Sequence, residues 1–552
     1  MKVDSFLAHH GLTENPFAAE EARLDAVFNR LADAGHHHPD LDKIIGAIDQ
    51  PSTAVVFGEK GSGKTAIRLT LDRRIAAHNA QQNDAHRDRP TAAGKRVLVV
   101  PYDDFNPVLD KLTRGRKIDA ATVIQNFRLA DHQDAILSHA VTRVVDALLD
   151  DPSNNDDLMP LPDEKPRQFR KRLTTQQRLD LAVLAGLYDQ PPSGITLPRW
   201  KKLCKTLRLG WRLPLPFWRN LAGVLTLISG ALALGFWWLQ HNAQQVTDAA
   251  VDAAASAGPA ASEVAANAVS AGPDWWMLPL LGLSAAAAIV LWFYWALMFG
   301  RTWGLSRKVA KEMPAVGRTP ATLRGVFGQL SGPMLAGQPL PQHGTDAQNR
   351  RDARYQLTRR FIDILHSLGY AGMVVLVDRV DEPTAVAGDA AKMRSLIWPM
   401  FDNKFLKQEG IGIKLLLPIE LSYLLNKEGP AFFQEARLDK QNMIERLGWS
   451  GVTLYDLCSA RLNACASATE DQPLTLMSLF QEGVTRQTLI DALDQMHQPR
   501  DAFKFLYSVV QEHCRLLADD AADFKINQLT LDTVRRTQSQ RVQELYRGLT
   551  PG

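Results

Sequence analysis

The 552-residue sequence predicts an α/β fold: a parallel sheet, interrupted by a two-helix hairpin and closed by a C-terminal helical lid. Three observations carry this. A β-branched apolar run, Thr53–Phe57, ends in a glycine-rich turn and opens into helix-forming sequence. A second apolar run, Met373–Val377, ends on Asp378, with more acids close behind. Between the two lie two apolar stretches, each long enough as a helix to cross the hydrocarbon core of a bilayer.

The elements are expected in the following order. Residues 1–50 form an N-terminal helical segment, and 51–150 the first half of the core, with "KRVLVVPYDDF" (Lys95–Phe105) as another core strand. Residues 151–216 make a cytoplasmic helical insertion and 217–299 the hairpin. Residues 300–349 are rich in Gly and Pro and suggest a return linker. The second half of the core, 350–450, starts with a basic helix and contains a further strand, "IGIKLLLPI" (Ile411–Ile419). Apolar residues at helical spacing make 451–552 the lid.

"VVFGEKGSGKT" fits G-x-x-x-x-G-K-[ST], with Gly58, Gly63, Lys64 and Thr65 at the defining positions. Glycines let backbone N–H groups wrap phosphate oxygens, and the following helix adds its N-terminal partial charge. The expected phosphate-facing set is Gly58, Glu59, Lys60, Gly61, Ser62, Gly63, Lys64, Thr65 and Ala66. Lys64 reaches the β- and γ-phosphates of ATP, and the Thr65 hydroxyl ligates Mg²⁺. In "MVVLVDRVDEP", Asp378 closes the strand and orients the same metal ion. Asp381 or Glu382 polarises the attacking water, with Glu382 preferred for its longer reach. Lys64 and Asp378 are 378 − 64 = 314 positions apart, so the chain between them must leave and return.

The excursion is "FWRNLAGVLTLISGALALGFWWL" (217–239) and "WWMLPLLGLSAAAAIVLWFYWALMF" (275–299), with Trp218, Trp237, Trp238, Trp275 and Trp276 at the ends as an interfacial belt. Arg199, Lys201, Lys202, Lys205, Arg208 and Arg212 precede it, and Arg301, Arg307, Lys308 and Lys311 follow it. The loop 240–274 has no Lys or Arg but carries Asp248, Asp252, Glu263 and Asp274. This asymmetry places both flanks and both termini in the cytoplasm and the loop outside, in a two-span protein of the cell inner membrane. An even number of crossings lets both halves of the site meet. The near-neutral formal charge of +3 gives no global argument for nucleic acid. Cys204, Cys458, Cys465 and Cys514 lack metal-ligand spacing and are expected as reduced thiols. The adjacent His36–His38 cannot easily all face one ion.

"QMHQPRDAFKFLYSVV" resembles the second-sensor helix of AAA+ proteins related to origin-recognition ATPases, and the resemblance implies that Arg500 touches nucleotide phosphates. "HGLTENPF" resembles the segment that precedes the phosphate loop in some bacterial AAA+ ATPases. In that class the strand 411–419 would end in a polar residue sensing the γ-phosphate; here Pro418 and Ile419 stand there, followed by Glu420. Arg446 in "NMIERLGW" is a minor candidate for an arginine finger acting in trans. A P-loop core split by a transmembrane pair resembles the KAP-type membrane NTPases. Lys60 stands where that group carries Trp, and DRVDE replaces its D-D-x-D-R. The resemblance is therefore to an AAA+/STAND-like P-loop NTPase with a KAP-type insertion. It implies a homo-oligomeric, membrane-anchored ATPase that switches conformation or assembly with a protein partner, in bacterial defence or signalling. The alternative is a membrane-tethered, nucleic-acid-binding ATPase, suggested by the lid and by "RRDARYQLTRR" (Arg350–Arg360). A transporter is disfavoured, because the spans hold no acid.

Overall fold

A computed structural model describes the chain except for residues 20, 34–36, 89–94, 150–169, 192–193, 210–214, 258–276, 331, 344, 468–472, 519–522 and 547–552. Five parallel strands form one sheet in the order β2-β3-β4-β1-β5: β1 Ala54–Gly58, β2 Arg96–Tyr102, β3 Tyr370–Val377, β4 Ile411–Pro418 and β5 Asn442–Ile444. Four of the five are the expected apolar runs. Their near-continuous hydrophobicity is what a sheet covered on both faces requires. The fifth, three residues long, gives no such signal; it pairs with the first three residues of β1.

Alternate residues serve the two faces. Val56, Val99, Leu376 and Leu416 pack against Ile67, Leu71 and Ile75 of the helix Lys64–Asp88 and against the short helix Leu41–Ile45. Phe57, Val100, Val375 and Leu415 face a larger core made by the helices Leu129–Leu149, Thr175–Tyr188, Ala347–Ser367 and Ala390–Ile397. The inserted segment belongs to this core, since Leu181, Leu184 and Leu187 are buried in it. So does much of the expected return linker. Met313, Val316, Leu323, Val326 and Phe327 are buried in the same cluster, and Pro320–Phe327 is helical.

The two hairpin helices are longer than the apolar runs that nucleate them. Leu215–Ala257 has 43 residues and Met277–Glu312 has 36, about 64 and 54 Å at 1.5 Å per residue. Part of the expected loop 240–274 is therefore helical; its remainder, with Trp275 and Trp276, lies outside the described residues. The helices meet along small side chains: Ala222 and Ala288 are buried, the Ser229 and Ser284 hydroxyls are 2.9 Å apart, and Trp292 Nε1 donates to Thr226 Oγ1 at 3.1 Å. The other faces are apolar and open, with Leu227 and Leu283 each 76% exposed. Their apolar stretches are only 6% buried within the chain, and their length and composition suffice to cross a membrane.

The N-terminal segment is not a separate unit. Phe6, Leu7, Phe17, Val27 and Leu31 share a core with Leu454, Leu489, Phe505 and Leu531. Thr13 N donates to Cys465 O at 2.9 Å, and Ser467 N to Gly11 O at 2.8 Å. Buried Arg461 bonds Asp25 Oδ2 and the Pro16 carbonyl, both at 2.6 Å. The lid is thus built from both ends of the chain, and the segment leading to β1 passes from the lid to the sheet beside the strand ends.

Candidate functional site

The carboxyl ends of the strands, where ligands bind in open α/β sheets, open into a cleft of about 710 Å³ between sheet and lid. Its lining mixes charged and polar groups, among them Lys60, Lys64, Thr65, Asp378 and Asp381, with the apolar side chains Phe28, Leu31, Trp449 and Phe503. Volume and lining are those of a small-molecule site.

The glycine-rich loop leaves β1 at Gly58 and enters its helix at Lys64. Gly61 (φ 97°) and Gly63 (φ 94°) hold backbone conformations that side chains disfavour. A Cβ on Gly61 would also lie 2.9 Å from Arg500 Cβ and from Gln498 Oε1. Lys64 Nζ folds back onto the loop and donates to Gly58 O at 2.7 Å and Glu59 O at 2.9 Å. Burial lowers the pKa of Lys64, and the charges of Asp378, Asp381, Glu420 and Glu59 oppose that shift.

β1 and β3 flank β4, which puts them about 10 Å apart across the sheet. The start of the helix after β1 closes that gap, and Thr65 Oγ1 donates to Asp378 Oδ2 at 3.0 Å. Asp378 is 1% exposed. Burial raises its pKa, against the pull of Arg68 and Thr65. A hydroxyl and a carboxylate converging beside an ammonium are hard oxygen donors that suit Mg²⁺. The Cβ-free turns at Gly61 and Gly63 leave the loop backbone open to close approach by an anion.

Three site residues carried no sequence expectation. Arg68, one turn into the helix, is buried with Nε 3.5 Å from Asp378 and Nη1 3.1 Å from Asp103. Asp103, at the end of the β2 strand region, also receives Arg23, so the N-terminal segment is tied to the same network. Trp449 Nε1 donates to Ser62 O at 2.9 Å and meets the His38 ring edge-on. The sequence signal for Arg68 is its position four residues after Lys64, on the same helix face.

The two acids after Asp378 differ in setting. Glu382 Oε2 is 2.5 Å from Nη2 of Arg379, a residue with φ 61°. Asp381 instead acts on Lys64 through its charge, and its backbone carbonyl holds Gly388 N at 3.0 Å. Arg500 stands at the start of the lid helix Pro499–Leu516, against Gly61. Glu420, after β4, is a charge near Lys64; the strand ends without a neutral polar side chain there.

Arg446 is paired within its own chain. Its Nη2 lies 2.7 Å from Glu59 Oε1 of its own chain, and Gln498 Nε2 donates to the other oxygen of Glu59. Within its own chain the arginine is tied to the glycine-rich loop through Glu59. In the basic helix three arginines are paired within the chain, while Arg351 and Arg359 are exposed. Arg350 pairs with Glu312, Arg354 with Asp134 and Arg360 with Asp180. His38 uses both ring nitrogens, on Gly448 O and Asp40 N, which leaves no lone pair for an ion; His36 is outside the described residues. No protein-family model, curated protein or solved structure matches this chain.

Proposed function

We propose that the chain is a membrane-anchored ATPase: the cleft binds Mg–ATP on the cytoplasmic side of a bilayer crossed by the two long apolar helices. The observation that carries this is the Thr65–Asp378 hydrogen bond at 3.0 Å, made across 313 sequence positions and over an intervening strand. Its support is chemical, in a buried lysine, a hydroxyl and a carboxylate at the mouth of a glycine turn. When bound, the metal ion neutralises developing charge on the phosphates.

In this reading Thr65 and Asp378 hold the ion, and Arg68 opposes the rise that burial imposes on the Asp378 pKa. Lys64 exchanges its bonds to the Gly58 and Glu59 carbonyls for phosphate oxygens. Asp381 takes the water-orienting role, because Glu382 is engaged by Arg379. Arg500 brings the lid onto the phosphates, and Phe28, Leu31, Trp449 and Phe503 offer an apolar seat for the base. Hydrolysis would then reset the lid, which the N-terminal segment ties to the sheet. Homo-oligomerisation and a protein client remain parts of the proposal that follow from the resemblance. The nucleic-acid alternative loses three of its arginines to internal ion pairs.

The test is phosphate release by the purified full-length protein in detergent, with and without Mg²⁺. Activity in the wild type that is lost in Lys64→Ala supports the reading; a wild type without any triphosphatase activity removes the hydrolytic part of it.

A further inference from the structure

We infer that the cytoplasmic end of the hairpin carries a site for the phosphate of an anionic lipid headgroup, formed by Arg307 and Arg324 around Trp303. This rests on the membrane part of the proposal above and not on nucleotide binding.

The first observation is charge segregation. The whole chain is nearly balanced, with 63 Lys and Arg against 60 Asp and Glu. Yet 196–209 holds five basic residues and no acid, and 300–324 holds six and one. Several of these are spoken for: Arg199 lies on Asp146 and Asp189, Arg318 on the Leu187 and Asp189 carbonyls, and the lone acid, Glu312, on His343 and Arg350. Among the described residues, neither Arg307 nor Arg324 is within ion-pair distance of a carboxylate.

The second observation is geometric. Arg307 lies 5.5 Å from the centre of the Trp303 ring, and Arg324 lies 5.0 Å from the same ring and 5.0 Å from Phe299. Arg324 comes from a different helix, Pro320–Phe327, whose Leu323, Val326 and Phe327 are buried in the core. Two guanidinium groups are thus gathered at one indole without an acid between them. An arginine held at a ring by cation–π attraction still has five N–H donors, and these can take phosphate oxygens two at a time.

The third observation selects a lipid over a free anion. Trp303 is one helical turn, about 6 Å, beyond Phe299, the last residue of the apolar run, which is headgroup depth. On the other side of Phe299, Phe293 and Leu297 are 65% and 49% exposed. Cationic groups at the end of a helix whose apolar side chains are open match a phosphodiester with acyl chains. Occupancy would join the hairpin helix to the core helix that carries Arg324.

The test reconstitutes the full-length protein into nanodiscs of phosphatidylcholine mixed with phosphatidylglycerol and measures the lipid retained on extraction. Wild type is expected to retain phosphatidylglycerol several-fold above its bulk share. Arg307→Gln with Arg324→Gln should retain the bulk ratio. Lys427→Gln with Lys440→Gln, which removes the same charge elsewhere, should behave as wild type. Equal retention by the arginine variant overturns the site, as does a loss of equal size in the lysine control. Displacement of the lipid by inorganic phosphate at modest concentration would assign the arginines to a soluble anion instead. Arginine-dependent binding of duplex DNA without phosphatidylglycerol retention would assign them to nucleic acid. Failure of the wild type to enter any disc would refute the membrane assignment itself.

Discussion

At the scale of single residues, the proposed chemistry rests on groups that burial has made expensive to misplace. Removing the ammonium in Lys64→Ala is expected to lower ATP turnover by about 10²–10³-fold, the usual cost of one charge-stabilising donor. Asp381→Asn should lower kcat by about 10²-fold or more, as loss of a base does, whereas Glu382→Gln should change it only a few-fold; steady-state kinetics of the pair decides between them. The motif residues were legible in the sequence because glycine, lysine and hydroxyl must stand in a fixed order. Which acid Arg379 engages was not, because it depends on the turn made there, and the Arg446–Glu59 pair forms through a loop whose path the sequence does not reveal.

A buried lysine away from the cleft gives a pH prediction. Lys414 in β4 is 1% exposed, and its Nζ donates to Ile45 O at 3.0 Å and Ser52 Oγ at 3.3 Å. Burial lowers its pKa to about 8. The unfolded chain, with a lysine pKa of about 10.4, binds more protons between these two values, so stability rises with pH across that window. Lys414→Met should raise stability at neutral pH by about 1–3 kcal/mol and flatten that slope. Thermal unfolding below and above the window checks both.

At the scale of elements, the strands and long helices followed from their apolar patterns, while the contacts that assemble them did not. β5 is too short to show a pattern. The segment 313–340 looked like a linker because Gly and Pro punctuate it, yet its apolar residues are buried. The union of the N-terminal segment with the lid depends on pairs such as Arg461–Asp25, 436 positions apart. Asp25→Ala leaves the buried guanidinium without its carboxylate and should cost about 3–5 kcal/mol. Limited proteolysis is expected to cut this variant between its N-terminal helices before the sheet core is attacked.

At the scale of the whole molecule, the long separation between the two halves of the cleft becomes a mechanical feature. The second hairpin helix runs without a break to Glu312, whose carbonyl accepts from Arg354 Nη2 at 2.7 Å. Arg354 also binds Asp134, at 3.0 and 2.9 Å. It stands on the helix Ala347–Ser367, which leads directly into β3 and Asp378. Asp378 is thus joined to the hairpin through β3, this helix and the buried Arg354 contacts. Membrane fractions washed at alkaline pH should retain the full chain, and recovery in the soluble fraction would remove the hairpin from the bilayer.

The central claim is that the cleft binds Mg–ATP. Titration of the detergent-solubilised full-length protein with Mg–ATP, followed by calorimetry, tests it most directly. The expected result is saturable binding that weakens by two orders of magnitude or so in Lys64→Ala; absence of binding to the wild type, or equal binding by the variant, would contradict it.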